Sequence, residues 1–225
     1  SQLGISRNDR SIHSFRDYPT RIGCAMQTRS EHWLDRWPRR AVRLGDRLVP
    51  VYLLMGMIAC WSGGLLTLTA GVVSGIPPVL ACMVVMLSIG GMLVWVAVRR
   101  TLTGSESFIA IENLFAAALP VIVLDAALGF GGALVDIQVL GLATFMVFGR
   151  IGCFLNGCCY GAPSDIGVRY QHGHHDPTVR RFPAQLVAAG GWAVLVAAAS
   201  LCWSVGPAGS ALACALIGYG PLRLA

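Results

Sequence analysis

Residues 48–98 read LVPVYLLMGMIACWSGGLLTLTAGVVSGIPPVLACMVVMLSIGGMLVWVAV and contain no charged side chain. A run of this length accommodates two membrane-spanning helices of about 20 residues each, with a turn between them. The turn is expected at residues 74–78, because Pro77 and Pro78 end a helix there. The sequence therefore predicts two spans, over residues 49–73 and 79–98.

The composition of the whole chain indicates the same class of protein. Of its 225 residues, 55% are hydrophobic and 12% are charged, whereas a soluble domain carries about 25% charged residues. So few charges cannot cover the surface of a soluble globule, and so much apolar surface excludes a disordered chain. We therefore expect an integral membrane protein.

Further apolar segments extend the prediction beyond the first two spans. We expect helices over residues 108–130, 137–154, 184–203 and 208–224, the last two separated by Gly206 and Pro207. The fold class is thus all-α, a polytopic transmembrane helical bundle of five to six spans. Asp125 and Asp136 lie within these apolar segments. They could be site residues that face a polar interior, or they could be solvated residues near a loop, and the sequence leaves both interpretations open.

The N-terminal segment differs from the rest in charge. Residues 1–47 hold ten Arg and five acidic residues, and they contain no apolar run of the kind that a secretory signal peptide has. Such a segment is more typical of a chain lying on anionic lipid headgroups than of one that binds nucleic acid. We therefore divide the chain into an Arg-rich polar tail, residues 1–47, and a transmembrane domain, residues 48–225.

The loop after residue 157 contains candidate ligands for a metal ion. Cys158 and Cys159, together with His172, His174 and His175, offer thiolate and imidazole ligands that suit zinc. Adjacent cysteines lack the usual separation between ligands, however, and the histidines read equally well as a solvated loop. From the sequence we expect no metal.

The most informative motif is GRIGCFLNGCCYG at residues 149–161, which places Arg150 at the end of a predicted span. An Arg at membrane depth costs about 2.5–3.5 kcal/mol, so it usually has a partner or a task. Its planar guanidinium suits a phosphate group, and glycines allow a lipid headgroup to approach the backbone. The alternative is an interfacial Arg that extends its head group into water.

Residues 149–161 resemble the signature G-R-[IL]-G-N-F-[IL]-N-G-E-x-x-G of bacterial prolipoprotein diacylglyceryl transferases. Two later blocks follow in the same order. RFPAQL at residues 181–186 resembles R-H-P-x-Q-L-Y-E, and LIGYGPLR at residues 216–223 resembles L-x-G-Y-G-x-x-R. The resemblance extends over about residues 48–225.

The resemblance implies an enzyme of the bacterial inner cell membrane that catalyses the first step of lipoprotein maturation. Its substrates would be phosphatidylglycerol, which donates a diacylglyceryl group, and the lipobox cysteine thiol in a prolipoprotein signal peptide. It implies no metal, no organic cofactor and no nucleic acid. Catalytic roles would fall on Arg150, Arg223 and Asn156. Substrate-binding roles would fall on Arg150, Gly152, Gly157, Gly161, Tyr52 and Gln185.

The sequence departs from the family pattern at several positions. Cys153 and Cys158 stand where the signature has Asn and Glu, and Ile109 stands where the family often has His. Val187 and Ala188 replace the Tyr-Glu pair. The departures leave a second hypothesis, a catalytically inactive membrane protein that retains a site for an anionic phospholipid or a partner.

Overall fold

The computed structural model describes residues 33–104, 110–170 and 179–224, and six α-helices account for most of them. The helices are α1 (Val51–Val73), α2 (Pro78–Thr103), α3 (Ala110–Leu128), α4 (Ala133–Asn156), α5 (Ala184–Val205) and α6 (Ser210–Leu224). Their bounds lie within about five residues of those expected from the sequence, and the all-α class is confirmed.

Four of the helices, α1, α2, α4 and α5, are long and apolar enough to cross a membrane. The protein is therefore a multi-pass membrane protein. The residues described for α6 form a shorter apolar helix, and α3 carries both Glu112 and Asp125. Spans at α3 and α6 stay predictions.

The turn between α1 and α2 follows the expected proline chemistry. Gly75 has a φ of 72°, and α2 begins with Pro78 directly after Pro77. Proline is tolerated at the first position of a helix because that N–H has no intrahelical partner. The predicted turn at residues 74–78 is confirmed.

Helix α4 is the central element, since it contacts each of the other five helices. Its closest neighbour is α1, where Gly63 and Gly141 allow the two backbones to meet. A Cβ atom added to Gly141 would lie 2.0 Å from the Thr67 Oγ1 atom and 2.8 Å from the Gly63 carbonyl oxygen. Without a hydrophobic driving force between helices in lipid, such close van der Waals packing is what holds them together.

Two buried carboxylates fix the starts of helices instead of forming a site. Asp125 is 6% exposed and accepts hydrogen bonds from the N–H groups of Gly132 (2.7 Å) and Leu134 (2.8 Å) at the start of α4. Asp136 is 2% exposed and accepts from Gly209 (2.7 Å) and Leu212 (2.9 Å) at the start of α6. Helix N-termini present such unpaired donors and a positive dipole end, so both interpretations left open by the sequence give way to a structural role.

A third acid of the helical bundle, Glu112 in α3, is also paired. It accepts a hydrogen bond from the Trp95 Nε1 atom (3.0 Å) and forms an ion pair with Arg99, both on α2. Its charge is therefore compensated within the α2–α3 pair.

Short extended segments were not expected from the sequence. Strands β1 (Ala41–Leu44) and β2 (Arg47–Pro50) form an antiparallel hairpin, and Gly45 with a φ of 58° opens its two-residue turn. A third strand, β3 (Pro163–Val168), lies between α4 and α5 and makes isolated bridges to Arg181. The division of the chain at residue 47 stays a prediction.

Replacing Gly141 by Ala should destabilise the bundle by about 1–3 kcal/mol, because the new methyl group has no space between α1 and α4. The matched control is Gly149→Ala in the same helix, where an added Cβ meets nothing within 4 Å. The control should be neutral or stabilising by up to about 1 kcal/mol through helix propensity. Thermal denaturation of the detergent-solubilised variants compares the two, and equal midpoints would contradict the close crossing.

Replacing Asp136 by Ala should cost about 1–3 kcal/mol, because two partly buried N–H groups at the start of α6 lose a charged acceptor. The exposed Asp165 in β3 supplies the control, and Asp165→Ala should leave the denaturation midpoint nearly unchanged. Hydrogen exchange at residues 209–212 should rise in the Asp136 variant alone. Unchanged exchange there would show that the carboxylate does not hold the start of α6.

Candidate functional site

The candidate site begins where α4 ends, at a turn formed by Gly157. Gly157 has a φ of 71°, its N–H donates to the Phe154 carbonyl (3.1 Å), and the Cys158 N–H donates to the Cys153 carbonyl (3.1 Å). These two bonds are the Schellman motif, in which the residue after the glycine folds back over the last helical turn. Glycine adopts this left-handed conformation without the steric cost that a Cβ imposes, which gives Gly157 a structural reason to be here.

The turn brings three cysteines together. Among the residues that the structure describes, Cys153, Cys158 and Cys159 form a group whose Sγ atoms all lie within 4.8 Å of one another. Cys159 is the one described non-glycine residue with a positive φ, 57°. The sequence pointed to Cys158 and Cys159 as candidate metal ligands, but not to Cys153. Gly157, which lies between Cys153 and Cys158, was the available signal. A helix that ends at a glycine in a Schellman motif brings the residue after the glycine next to the residue five positions before it, here Cys158 and Cys153.

The Cys159 thiol lies in an electrostatically unusual environment. Hydrogen bonds with Cys153 and Cys158, and the positive charge of Arg150, hold the pKa of Cys159 well below its usual value although burial opposes the shift. A neighbouring positive charge favours the thiolate form of a cysteine. The Asn156 side chain, at the end of α4, also hydrogen bonds to Cys158.

Gln185, at the start of α5, ties the turn to the rest of the protein. Its Nε2 atom donates to the Cys158 carbonyl (2.6 Å), and its Oε1 atom accepts from the Tyr170 hydroxyl (3.2 Å). Gln185 and Tyr170 are each 1% exposed. Gln185, which was expected to bind substrate, therefore holds the turn after α4 in position.

Aromatic rings form one wall of the site. Tyr160 stacks on Tyr170 with ring centroids 5.3 Å apart, and Phe154 meets Tyr170 edge-on at 6.3 Å. The Arg181 guanidinium lies 4.7 Å from the centre of the Tyr160 ring. This cation–π contact holds a positive charge beside the turn without neutralising it.

Three arginines in this part of the chain have a guanidinium group with a hydrogen-bond donor left unused. In the described part of the chain, the Nε atoms of Arg150, Arg169 and Arg181 are buried and have no hydrogen-bond partner. A buried cationic donor without a partner is costly. Arg150, which acts on the Cys159 thiol, can therefore stabilise an anion that the described residues do not supply.

The acid in this region, Asp35, is already engaged. It forms an ion pair with Arg180 (3.4 Å) and accepts a hydrogen bond from the Arg169 N–H (3.0 Å). The Arg39 N–H also donates to the Leu155 carbonyl (2.7 Å). Residues just before the first span therefore pack against the end of α4, and they leave Arg150 without a carboxylate partner among the described residues.

Of the remaining residues that were predicted to bind substrate, some serve helix packing and others lie at the candidate site. A Cβ on Gly152 would lie 2.9 Å from the Met55 Cβ atom, so Gly152 serves the contact of α4 with α1. The Gly161 N–H donates to the Phe182 carbonyl (2.9 Å), and a Cβ there would lie 3.1 Å from the same oxygen. Tyr52, at the start of α1, interacts electrostatically with all three thiols.

Several expectations fall outside the described residues. They concern Ile109, His172, His174, His175 and the side chain of Arg223. Arg223 itself belongs to α6. The substrate-binding and catalytic assignments of the predicted residues stay predictions.

Comparison with known proteins identifies the family. The family model for prolipoprotein diacylglyceryl transferase matches residues 86–225, which include the turn after α4 and all of α5 and α6. A phosphatidylglycerol–prolipoprotein diacylglyceryl transferase of Clostridium tetani is 41% identical over 56 residues, and a second such protein from Clostridium perfringens is 46% identical over 56 residues. Each alignment covers 24% of this chain and 22% of the relative, so the matched part spans about a fifth of the curated proteins.

The family model extends over more than half of the chain, and the motifs at residues 149–161, 181–186 and 216–223 all lie within it. The chain belongs to the prolipoprotein diacylglyceryl transferase family.

Proposed function

We propose that this protein transfers a diacylglyceryl group from phosphatidylglycerol to the lipobox cysteine thiol of prolipoproteins, in the inner membrane of a bacterium. Family membership supports the reaction class. The observation that carries the proposal is the Arg150 guanidinium, whose Nε atom is buried at the end of α4 without a partner in the described part of the chain.

A phosphate diester is the anion that suits this position. Arg150 lies in the last two turns of a helix long enough to cross the membrane, where a lipid headgroup would be found. Its planar fork can donate two parallel hydrogen bonds to phosphate oxygens. Arg181, whose guanidinium lies 4.7 Å from the centre of the Tyr160 ring, is a second cation beside the turn, and its buried Nε atom has no partner among the described residues.

The guanidinium groups that bind the phosphate would also act during the chemical step. The lipobox sulfur forms a bond to the glyceryl carbon that carries the phosphate, and the bond between that carbon and the phosphate oxygen breaks. The electron pair leaves with the oxygen, the products are a thioether and glycerol phosphate, and the thiol proton is released. Charge develops on the departing oxygen in the transition state, where a preorganised guanidinium stabilises it most.

The other residues of the site would hold the lipid and shape its pocket. Arg223 would assist Arg150 in stabilising the phosphate, and Asn156 would orient the headgroup. Gly157 and Gly161 keep the backbone free of side chains beside it, and Gln185 fixes the turn. Tyr52 would contact the substrate from α1, whereas Gly152 would contribute through the packing of α4.

A second function is favoured by one specific observation. Cys153 and Cys158 replace the polar residues of the family signature and lie against each other in the turn. A protein that keeps the arginines but lacks the other groups would bind an anionic phospholipid without transferring its diacylglyceryl group. Binding and transfer must therefore be measured separately.

Replacing Arg150 by Ala should lower the transfer rate by at least about 100-fold, because loss of one transition-state donor typically costs that much. The full-length protein in phosphatidylglycerol vesicles would receive a prolipoprotein peptide with its lipobox cysteine, and released glycerol phosphate would be measured. Arg150→Lys should retain part of the rate, since it keeps the charge but loses the fork.

The control is Arg43→Ala, which removes an exposed cation of the hairpin far along the chain from the motif and should leave the rate unchanged. Wild-type protein should also rescue a bacterial strain depleted of its own transferase. Phosphatidylglycerol binding without any release of glycerol phosphate would replace the enzyme with the lipid-binding alternative. Equal rates for wild type and Arg150→Ala would remove Arg150 from the mechanism.

A further inference from the structure

We propose that Cys153, Cys158 and Cys159 form a binding site for a thiophilic d10 cation, Zn²⁺ or Cu⁺. These sulfur atoms meet one another within 4.8 Å in the described part of the protein. The proposal concerns the thiols alone and holds whether or not the protein transfers diacylglyceryl groups.

The spacing of the sulfur atoms is close to that of a metal–thiolate site. Zinc binds thiolate sulfur at about 2.3 Å, so three thiolates around one ion lie about 3.8–4.0 Å apart. The longest separation in the cluster therefore has to shorten by about 1 Å at most. Rotation of a cysteine side chain about its Cα–Cβ bond accomplishes such a change without moving the backbone.

The backbone that carries the thiols is held on several sides. The Gly157 turn sets Cys158 against Cys153, and the Cys158 Sγ atom lies 3.7 Å from the Cys153 carbonyl oxygen. Cys159 takes a left-handed backbone conformation that non-glycine residues adopt at a cost, and here it directs a third thiol to the same place. Three thiols gathered by one strained turn are unlike cysteines scattered in apolar helices.

The backbone of Cys158 is restrained by its surroundings. Its carbonyl accepts a hydrogen bond from Gln185, which is in turn held by Tyr170. These bonds limit the movement of the residue that carries one of the three thiols. Arg150 acts on Cys159 electrostatically, and its positive charge offsets the excess negative charge of three thiolates around a cation.

The ligand chemistry selects the class of ion. Three thiolates are soft donors, which favour Zn²⁺ and Cu⁺ over Mg²⁺ or Ca²⁺. Three protein ligands also leave a position open, as in catalytic zinc sites, and Cys159 is exposed. These three residues by themselves do not form a closed structural site, which has four protein ligands.

The first test measures the metal content of the full-length protein, purified in detergent under reducing conditions without chelator. Mass spectrometry of the metal should find about one zinc or one copper ion per chain, and separate cultures supplemented with either metal distinguish the two ions. Metal-free protein titrated with Cd²⁺ should develop the ultraviolet thiolate-to-metal absorption, with an end point at one ion per chain.

Single variants locate the site. Loss of one outer contact costs metal sites about 10–100-fold in affinity, so Cys153→Ser, Cys158→Ser and Cys159→Ser should each cost at least 100-fold. Cys60→Ser and Cys82→Ser, at exposed positions of α1 and α2, serve as controls and should bind Cd²⁺ like the wild type. Equal weakening in the controls would overturn the assignment.

A measurement on the unaltered protein avoids variants that fail to fold. Cd²⁺ should protect Cys153, Cys158 and Cys159 from alkylation and leave the labelling of Cys60 and Cys82 unchanged. A disulfide between two of the three cysteines in protein kept reduced, or Cd²⁺ binding that protects none of them, would overturn the proposal. Transferase activity is measured separately, so its absence would not affect this result.

Discussion

The close contact between α1 and α4 is the constraint on which the rest of the structure depends. Gly141 and Gly152 both meet α1, and they are spaced by about three helical turns, so they lie on the same face of α4. Because α1 runs antiparallel along this face, Tyr52 and Met55 reach the last turn of α4. The packing of two helices thereby fixes the end of α4, where Arg150, Cys153 and the Gly157 turn are found.

The few charged residues in the bundle differ in whether the protein supplies their partners. Asp125 and Asp136 use both carboxylate oxygens on N–H groups of the following helices, and Glu112 is paired with Arg99. Backbone donors exposed to lipid must be satisfied within the protein, and both oxygens of Asp125 and of Asp136 serve this purpose. Arg150, by contrast, keeps an unsatisfied Nε atom among the described residues. Asp125 and Asp136 therefore lie at the start of α4, whereas Arg150 lies near its end.

Hydropathy and proline placement predicted the helices well, because a spanning helix requires a long apolar run and Pro77 and Pro78 mark a boundary unambiguously. The hairpin at residues 41–50 was missed, since its strands are only four residues each and lie in an Arg-rich segment without strict alternation. The thiol cluster was missed because it depends on the three-dimensional path after Gly157. Gln185 was assigned to the site by resemblance, whereas its hydrogen bonds to Cys158 and Tyr170 could not be read from sequence spacing.

The Gly157 turn also explains why two departures from the family signature belong together. Cys153 and Cys158 replace Asn and Glu at positions that the Schellman motif sets side by side. An Asn and a Glu there would likewise lie against each other and could share a hydrogen bond. In this chain the two positions carry half-buried thiols instead. The turn does not depend on either side chain, because both of its hydrogen bonds join backbone groups, so it brings the two thiols together while Arg150 keeps its place in α4.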